Sequence, residues 1–151
     1  MSWDLASYFP EFNGSEMRRF KQGLASDIAS LKAEAAALPP LATESSASWE
    51  RVLLRNEDIL QRISHLGSYI ACLASSDARN ESYLKEEAEL VGVRAELGKL
   101  RVEFFRAIKE TEEETFTAFI ARPALEGAQN YLNRMRQEAR RAMTPEKEIL
   151  A

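Results

Sequence analysis

Imidazoles and thiols are almost absent from this chain: His65 is the only histidine and Cys72 the only cysteine. No disulfide can close within the sequence, and no Cys/His cage for a metal can be assembled from one of each. The helical His-Glu-x-x-His arrangement, which gives a zinc hydrolase two ligands on one face, is missing. Pairing the two residues does not help, because seven residues along one helix separate them by about 10 Å of rise, too far for proton transfer. A Ser-His-Asp triad could use only His65, and no nucleophile elbow accompanies it. His65 is therefore expected to be an ordinary helix residue and Cys72 a small apolar packing group.

Glycine is sparse as well. The six glycines are scattered singly, which excludes a glycine-rich phosphate loop. No segment approaches the roughly 18 consecutive apolar residues of a membrane span, and Met-Ser-Trp-Asp-Leu at the start has neither the basic stretch nor the apolar run of a signal peptide. No membrane contact and a cytoplasmic location are the resulting expectations. Positive charge is in deficit, with 20 Lys and Arg against 24 Asp and Glu, a net charge of −4 and a pI near 5.2, so nucleic acid is a poor partner. The local run Arg134, Arg136, Arg140 and Arg141 reads as a solvated helix face. Hairpin dipeptides and alternating strand patterns are also missing.

What is present is helical periodicity. Over 151 residues, 45% hydrophobic and 29% charged, the chain has the composition of a folded domain. Trp3 to Pro10 reads as an extended aromatic segment pinned to the core by its rings, with residues 11–14 as a turn. Ser15 offers an N-cap, and Met17, Phe20, Leu24, Ile28 and Leu31 follow at helical spacing until Leu38-Pro39-Pro40 stops the pattern. A loop rich in serine (Ser45, Ser46, Ser48) precedes a second helix from Trp49 to Ala74, carried by Val52, Ile59, Ile63, Leu66, Ile70 and Leu73. Gly67 within it suggests close approach by a neighbouring helix. The short polar connection 75–80 implies an antiparallel neighbour.

The next pattern is long, about Arg79 to Glu114, with two apolar stripes. One holds Leu84, Ala88, Val91, Ala95, Val102, Phe105 and Ile108; the other holds Leu90, Val93, Leu97, Leu100 and Phe104. Two stripes predict more than one partner helix, with Gly92 and Gly98 making room at crossings or permitting a bend. The acids from Glu110 to Glu114 end or link this element; without the alternation or glycine of a calcium loop they read as solvated charge. Phe116, Phe119 and Ile120 then pack before Pro123, which opens a helix to Met143 with its arginines outward. Thr144-Pro145-Glu146 is an N-cap followed by proline at the first helical position, and a helix capped so near Ala151 suggests truncation within a longer polypeptide.

The predicted fold is all-α: an elongated helical bundle built on antiparallel helix hairpins, with one very long helix. Its parts are an N-terminal segment 1–14 packed on the bundle, a bundle domain 15–143, and 144–151 as the start of a hinge or helix. Tyr69 and Tyr83 flank the 77–80 connection, where phenol groups can donate hydrogen bonds to a partner domain or a peptide.

The order of these features resembles the start of an oligoendopeptidase F-type, thimet oligopeptidase-like zinc metallopeptidase. The residues that carry the likeness are Trp3-Asp4-Leu5 with its aromatic-proline step, the stretch Tyr69 to Leu73 leading to Asp77 and Asn80, the long helix, and the closing Met143-Thr144-Pro145-Glu146 through Leu150. The resemblance implies a noncatalytic N-terminal lobe that walls a substrate channel and limits substrates to short peptides. It further implies zinc in the parent's own C-terminal catalytic domain, downstream of every residue here, and a hinge near Thr144-Pro145. The chain alone is then expected to be no enzyme and to hold no cofactor. Tyr69, Asp77, Asn80 and Tyr83 are its candidate substrate-binding or interdomain residues, and exposed apolar surface is expected to favour homo-oligomers. The alternative is a stand-alone helical protein-protein interaction module pairing through its long-helix seam.

Overall fold

The computed structural model describes residues 5–141. The expectations for Trp3 and for the Thr144 to Ala151 helix and hinge lie outside those residues. The described chain is an all-α helical bundle: α1 (Ser15–Ala36), α2 (Ser46–Ser76), α3 (Glu81–Glu110), α4 (Glu113–Ile120), a 3-10 segment (Pro123–Ala128) and α5 (Gln129–Arg141). No strand occurs among the described residues. It divides into two compact units, residues 5–36 with Val52–Gly98 and Ala37–Arg51 with residues 99–141.

Several helix ends differ from the sequence reading, and each difference has a local cause. The first carbonyl to accept an α1 hydrogen bond is that of Gly14, which takes the Arg18 N–H at 3.0 Å, so Gly14 rather than Ser15 caps the helix. The chain reaches it through Asn13 at φ 57°, a left-handed conformation that asparagine tolerates. Helix α2 starts before Trp49 because Ser45 and Ser46 are part of a folded turn. The Ser45 hydroxyl donates to the Pro40 carbonyl at 2.8 Å and accepts the Ala42 N–H, while the Ser46 hydroxyl donates to the Ala42 carbonyl at 2.8 Å. Past Ala74 it continues to Ser76, where the Ser75 and Ser76 hydroxyls donate to the carbonyls of Ala71 and Leu73. Two helices of nearly equal length result, 31 and 30 residues, in place of one dominant helix.

Helix α3 stops at Glu110, earlier than expected. Thr111 bends its hydroxyl and its N–H onto the same Ala107 carbonyl, and Glu112 turns extended at φ −59° and ψ 146°. Glu113 and Glu114 then open α4, where the N-terminal dipole favours carboxylates. The acidic run thus starts one helix as it ends another. Pro123 does sit at a helix start, but of a 3-10 segment; α5 follows only after Gly127, a weak α-former.

In the first unit the ion pairs report the topology. Asp27 and Glu34 of α1 meet Arg62 and Arg55 of α2, so α1 and α2 run antiparallel. Lys21 and Lys32 of α1 meet Glu86 and Glu96 of α3, so α1 and α3 run parallel and α2–α3 is an antiparallel hairpin. Lys21 Nζ lies 2.7 Å from Glu86, itself a buried carboxylate, and 3.4 Å from Glu89. Burial works against the ammonium charge, but the Glu86 hydrogen bond and charge, with Glu89 behind them, outweigh it and hold Lys21 above the ordinary lysine range. Beneath these pairs Met17, Leu24, Leu31, Ile59, Ile63, Leu66, Ile70, Leu90 and Leu97 are buried.

In the second unit the Trp49 indole N–H donates to the Pro39 carbonyl at 2.9 Å, and its ring meets Phe104 edge-on at 5.9 Å. Phe116, Phe119, Leu125, Leu132 and Met135 complete that core. Arg136 corrects the expectation that every α5 arginine faces outward: it is 5% exposed. Its guanidinium lies 4.6 Å over the Phe116 ring and its Nη1 donates to the Ile108 carbonyl at 2.9 Å. That carbonyl belongs to the last turn of α3, where the helix dipole is negative, so the buried cation meets complementary charge on two sides. Burial lowers the Arg136 pKa, Arg140 adds to this and Glu113 opposes it.

Candidate functional site

The candidate residues Tyr69, Asp77, Asn80 and Tyr83 all fall at the tip of the α2–α3 hairpin, within the first unit. Asp77 and Asn80 are used by the turn itself. The Asp77 N–H donates to the Leu73 carbonyl at 3.1 Å, and the Asn80 N–H donates to the Asp77 carbonyl at 3.1 Å. The Asn80 Oδ1 accepts from the Ser82 N–H at 2.9 Å and the Tyr83 N–H at 3.3 Å, while the Asn80 carbonyl takes the Leu84 N–H. Asn80 is thus the N-cap of α3, satisfying two of the donors a helix start leaves orphaned. Its Nδ2 reaches Asp77 Oδ2 only at 3.4 Å.

The two phenols are covered by the chain's own N-terminal segment. Residues 5–9 form a turn, with the Tyr8 and Phe9 N–H groups donating to the Leu5 carbonyl, where the sequence suggested extended backbone. The expected pinning by rings is nevertheless there. Phe9 is buried, edge-on to Tyr69 at 5.0 Å and to Phe20 at 5.3 Å. Tyr8 stacks toward Tyr69 at 6.0 Å and lies 4.8 Å from the His65 ring, and Phe12 meets Tyr83 edge-on at 4.8 Å. Edge-to-face pairs at such distances each add about 1 kcal/mol beyond area burial.

Tyr69 is 3% exposed, and burial raises its pKa, with the Tyr83 phenol adding to the effect. The hydroxyl is held neutral, the opposite of what a phenolate base or nucleophile requires. His65 is an exposed helix residue whose ring lies tilted against that of Tyr8. Among the described residues no three His, Cys, Asp or Glu side chains gather into a group able to hold a metal ion. Nor is any helix among them long and apolar enough to cross a membrane.

The surface that sequence reasoning misjudged lies on α3. Of its two apolar stripes, one has Leu90, Leu97 and Phe104 buried and Val93 and Leu100 half-buried. The other faces outward: Leu84 is 47% exposed and Val91 64%, with Ala88 and Ala95 exposed beside them. Only Ile108 of that stripe is fully buried. A Cβ at Gly92 or Gly98 would meet nothing within 4 Å, so neither glycine serves a close crossing. Gly67 does face a neighbouring helix, as expected: the Arg94 guanidinium and the Leu90 side chain of α3 lie over it. The spacing 84, 88, 91, 95 was a signal in plain view. Periodicity, however, reports that a face is apolar and not what covers it.

No protein-family model matches the chain, and no curated protein or solved structure matches it either.

Proposed function

We propose that the chain is the noncatalytic N-terminal lobe of a cytoplasmic zinc oligopeptidase, forming part of the wall of a channel that admits short peptides. Zinc would belong to the parent's own C-terminal catalytic domain. The observation that supports this most is the braced hairpin of the first unit, in which residues 52–76 of α2 and 81–98 of α3 are tied to α1 by four cross-helix ion-paired sites. Size selection needs a wall that does not yield, and such a scaffold meets that need. Two of the candidate polar side chains are already engaged, Asn80 by the helix cap and Tyr69 by aromatic packing. The order of sequence features from Trp3 to Leu150 points the same way.

The test is to express the chain alone and joined to whatever follows it in its reading frame, and to assay both on a quenched peptide with added zinc. The joined form should cleave short peptides and spare folded proteins, while the chain alone should be silent. Turnover by the chain alone, or a zinc-loaded longer product without peptidase activity, would overturn the reading. A second reading, a stand-alone helical interaction module, is favoured by the exposed α3 stripe, and a reading frame without a His-Glu-x-x-His segment would support it.

A further inference from the structure

We propose that α3 pairs antiparallel with α3 of a second copy of this chain through Leu84, Ala88, Val91 and Ala95. These positions repeat at intervals of four, three and four residues, the seam of a two-helix coiled coil, and all four are solvent-exposed. At 100° per residue they fall within about 60° of arc, on the side of α3 opposite the buried Leu90 and Leu97 and the Glu86 that faces α1. The stripe is therefore not the edge of the unit's core but a separate apolar face.

The sequence of sizes along the seam selects the orientation. Leu84 and Val91 are large, Ala88 and Ala95 small. Antiparallel, Leu84 sits opposite the second copy's Ala95 and Ala88 opposite its Val91, and twofold symmetry repeats both layers, so every layer joins a large side chain to a small one. Parallel pairing would set leucine on leucine and alanine on alanine, giving layers of unequal thickness.

The flanking charges select it again. In the antiparallel register Glu87 faces the second copy's Arg94, and symmetry makes this two ion pairs; Lys85 faces the second copy's Gly92, with no repulsion. Parallel pairing would place Glu87 against Gly92 and lose both. Arg94 is exposed, with its guanidinium over Gly67, on the same flank of α3 as Glu87. Among the described residues neither Glu87 nor Arg94 has an ion-pair partner in its own chain. A seam of four residues places the contact at the small, transient end of protein interfaces.

This inference does not rest on the peptidase reading. Sedimentation equilibrium of the full chain, from about 10 μM to about 1 mM at low salt, should show its mass rising toward that of a dimer. Val91→Glu should hold it monomeric. Glu87→Arg and Arg94→Glu should each weaken association about tenfold, by turning both ion pairs into repulsions. The double variant E87R/R94E should restore it, and circular dichroism should show all four variants folded, as expected for surface positions. A monomer across the whole range would overturn the proposal, as would a double variant no better than the single ones, or association untouched by Val91→Glu.

Discussion

Replacing Asn80 with alanine separates a structural role for the hairpin tip from a ligand-binding one. The substitution removes a single acceptor that serves two backbone donors, Ser82 N–H at 2.9 Å and Tyr83 N–H at 3.3 Å. Losing an N-cap of this kind costs about 1 kcal/mol, with about 2 kcal/mol as an upper bound. The bond from Nδ2 to the exposed Asp77 carboxylate is long, 3.4 Å, and adds little, so Asp77→Ala should cost under about 0.5 kcal/mol. Asn80→Ser and Asn80→Asp keep the acceptor and should stay within about 0.5 kcal/mol of the parent chain. Because the chain has two compact units, a single melting curve need not be two-state, and amide exchange is the better readout. In Asn80→Ala, protection at Ser82 and Tyr83 should fall about fivefold, the equivalent of 1 kcal/mol. Unchanged protection in Asn80→Ala would refute the capping argument, and so would an Asn80→Ser variant as damaged as alanine.

Other outcomes follow from the same geometry. Phe9→Ala should cost about 3 kcal/mol, since a 5% exposed ring touching Phe20, His65 and Tyr69 leaves a cavity; urea denaturation would reveal it, and a cost below about 1 kcal/mol would mean that the N-terminal turn is not docked. Gly92→Ala should stabilise by up to about 1 kcal/mol in thermal melts, because its Cβ enters open space in a helix interior. At Gly67 the same gain is offset only by displacing the flexible end of Arg94, so Gly67→Ala should not destabilise by more than about 1 kcal/mol. Stability should decline in alkali. Lys21 and Tyr69 both bind their protons more tightly folded than unfolded, so their contributions are complete below the unfolded pKa values, 10.5 and 10.0, and are lost as pH rises through the higher folded values. Urea midpoints at pH 8 and pH 11 should show the fall, and Lys21→Met should reduce it.

Much of the architecture was legible because it depends on short-range rules. Leu24, Leu31, Ile59, Ile63, Leu66 and Ile70 were placed inside by period alone, and all are buried. Helix ends were less legible, since they turn on single backbone positions: the Asp77 N–H still reaches the Leu73 carbonyl beyond Ala74, and α3 stops where Glu112 turns extended. At the candidate site, sequence brought Tyr69, Asp77, Asn80 and Tyr83 to one hairpin tip. It could not distinguish an asparagine that caps from one that binds, because both are polar residues before a helix.

By itself, the sequence determined that the chain is helical, where its long helices lie, and that one histidine and one cysteine leave no Cys/His metal cage. Those conclusions need only periodicity and a count of ligands. Tertiary structure alone decided which apolar stripe of α3 is covered and which is bare, and that Arg136 among four similar arginines is drawn inside by an aromatic face and a helix-end carbonyl. The reason is physical: a side chain's own chemistry sets what an environment would cost it, but only neighbours distant in sequence supply that environment.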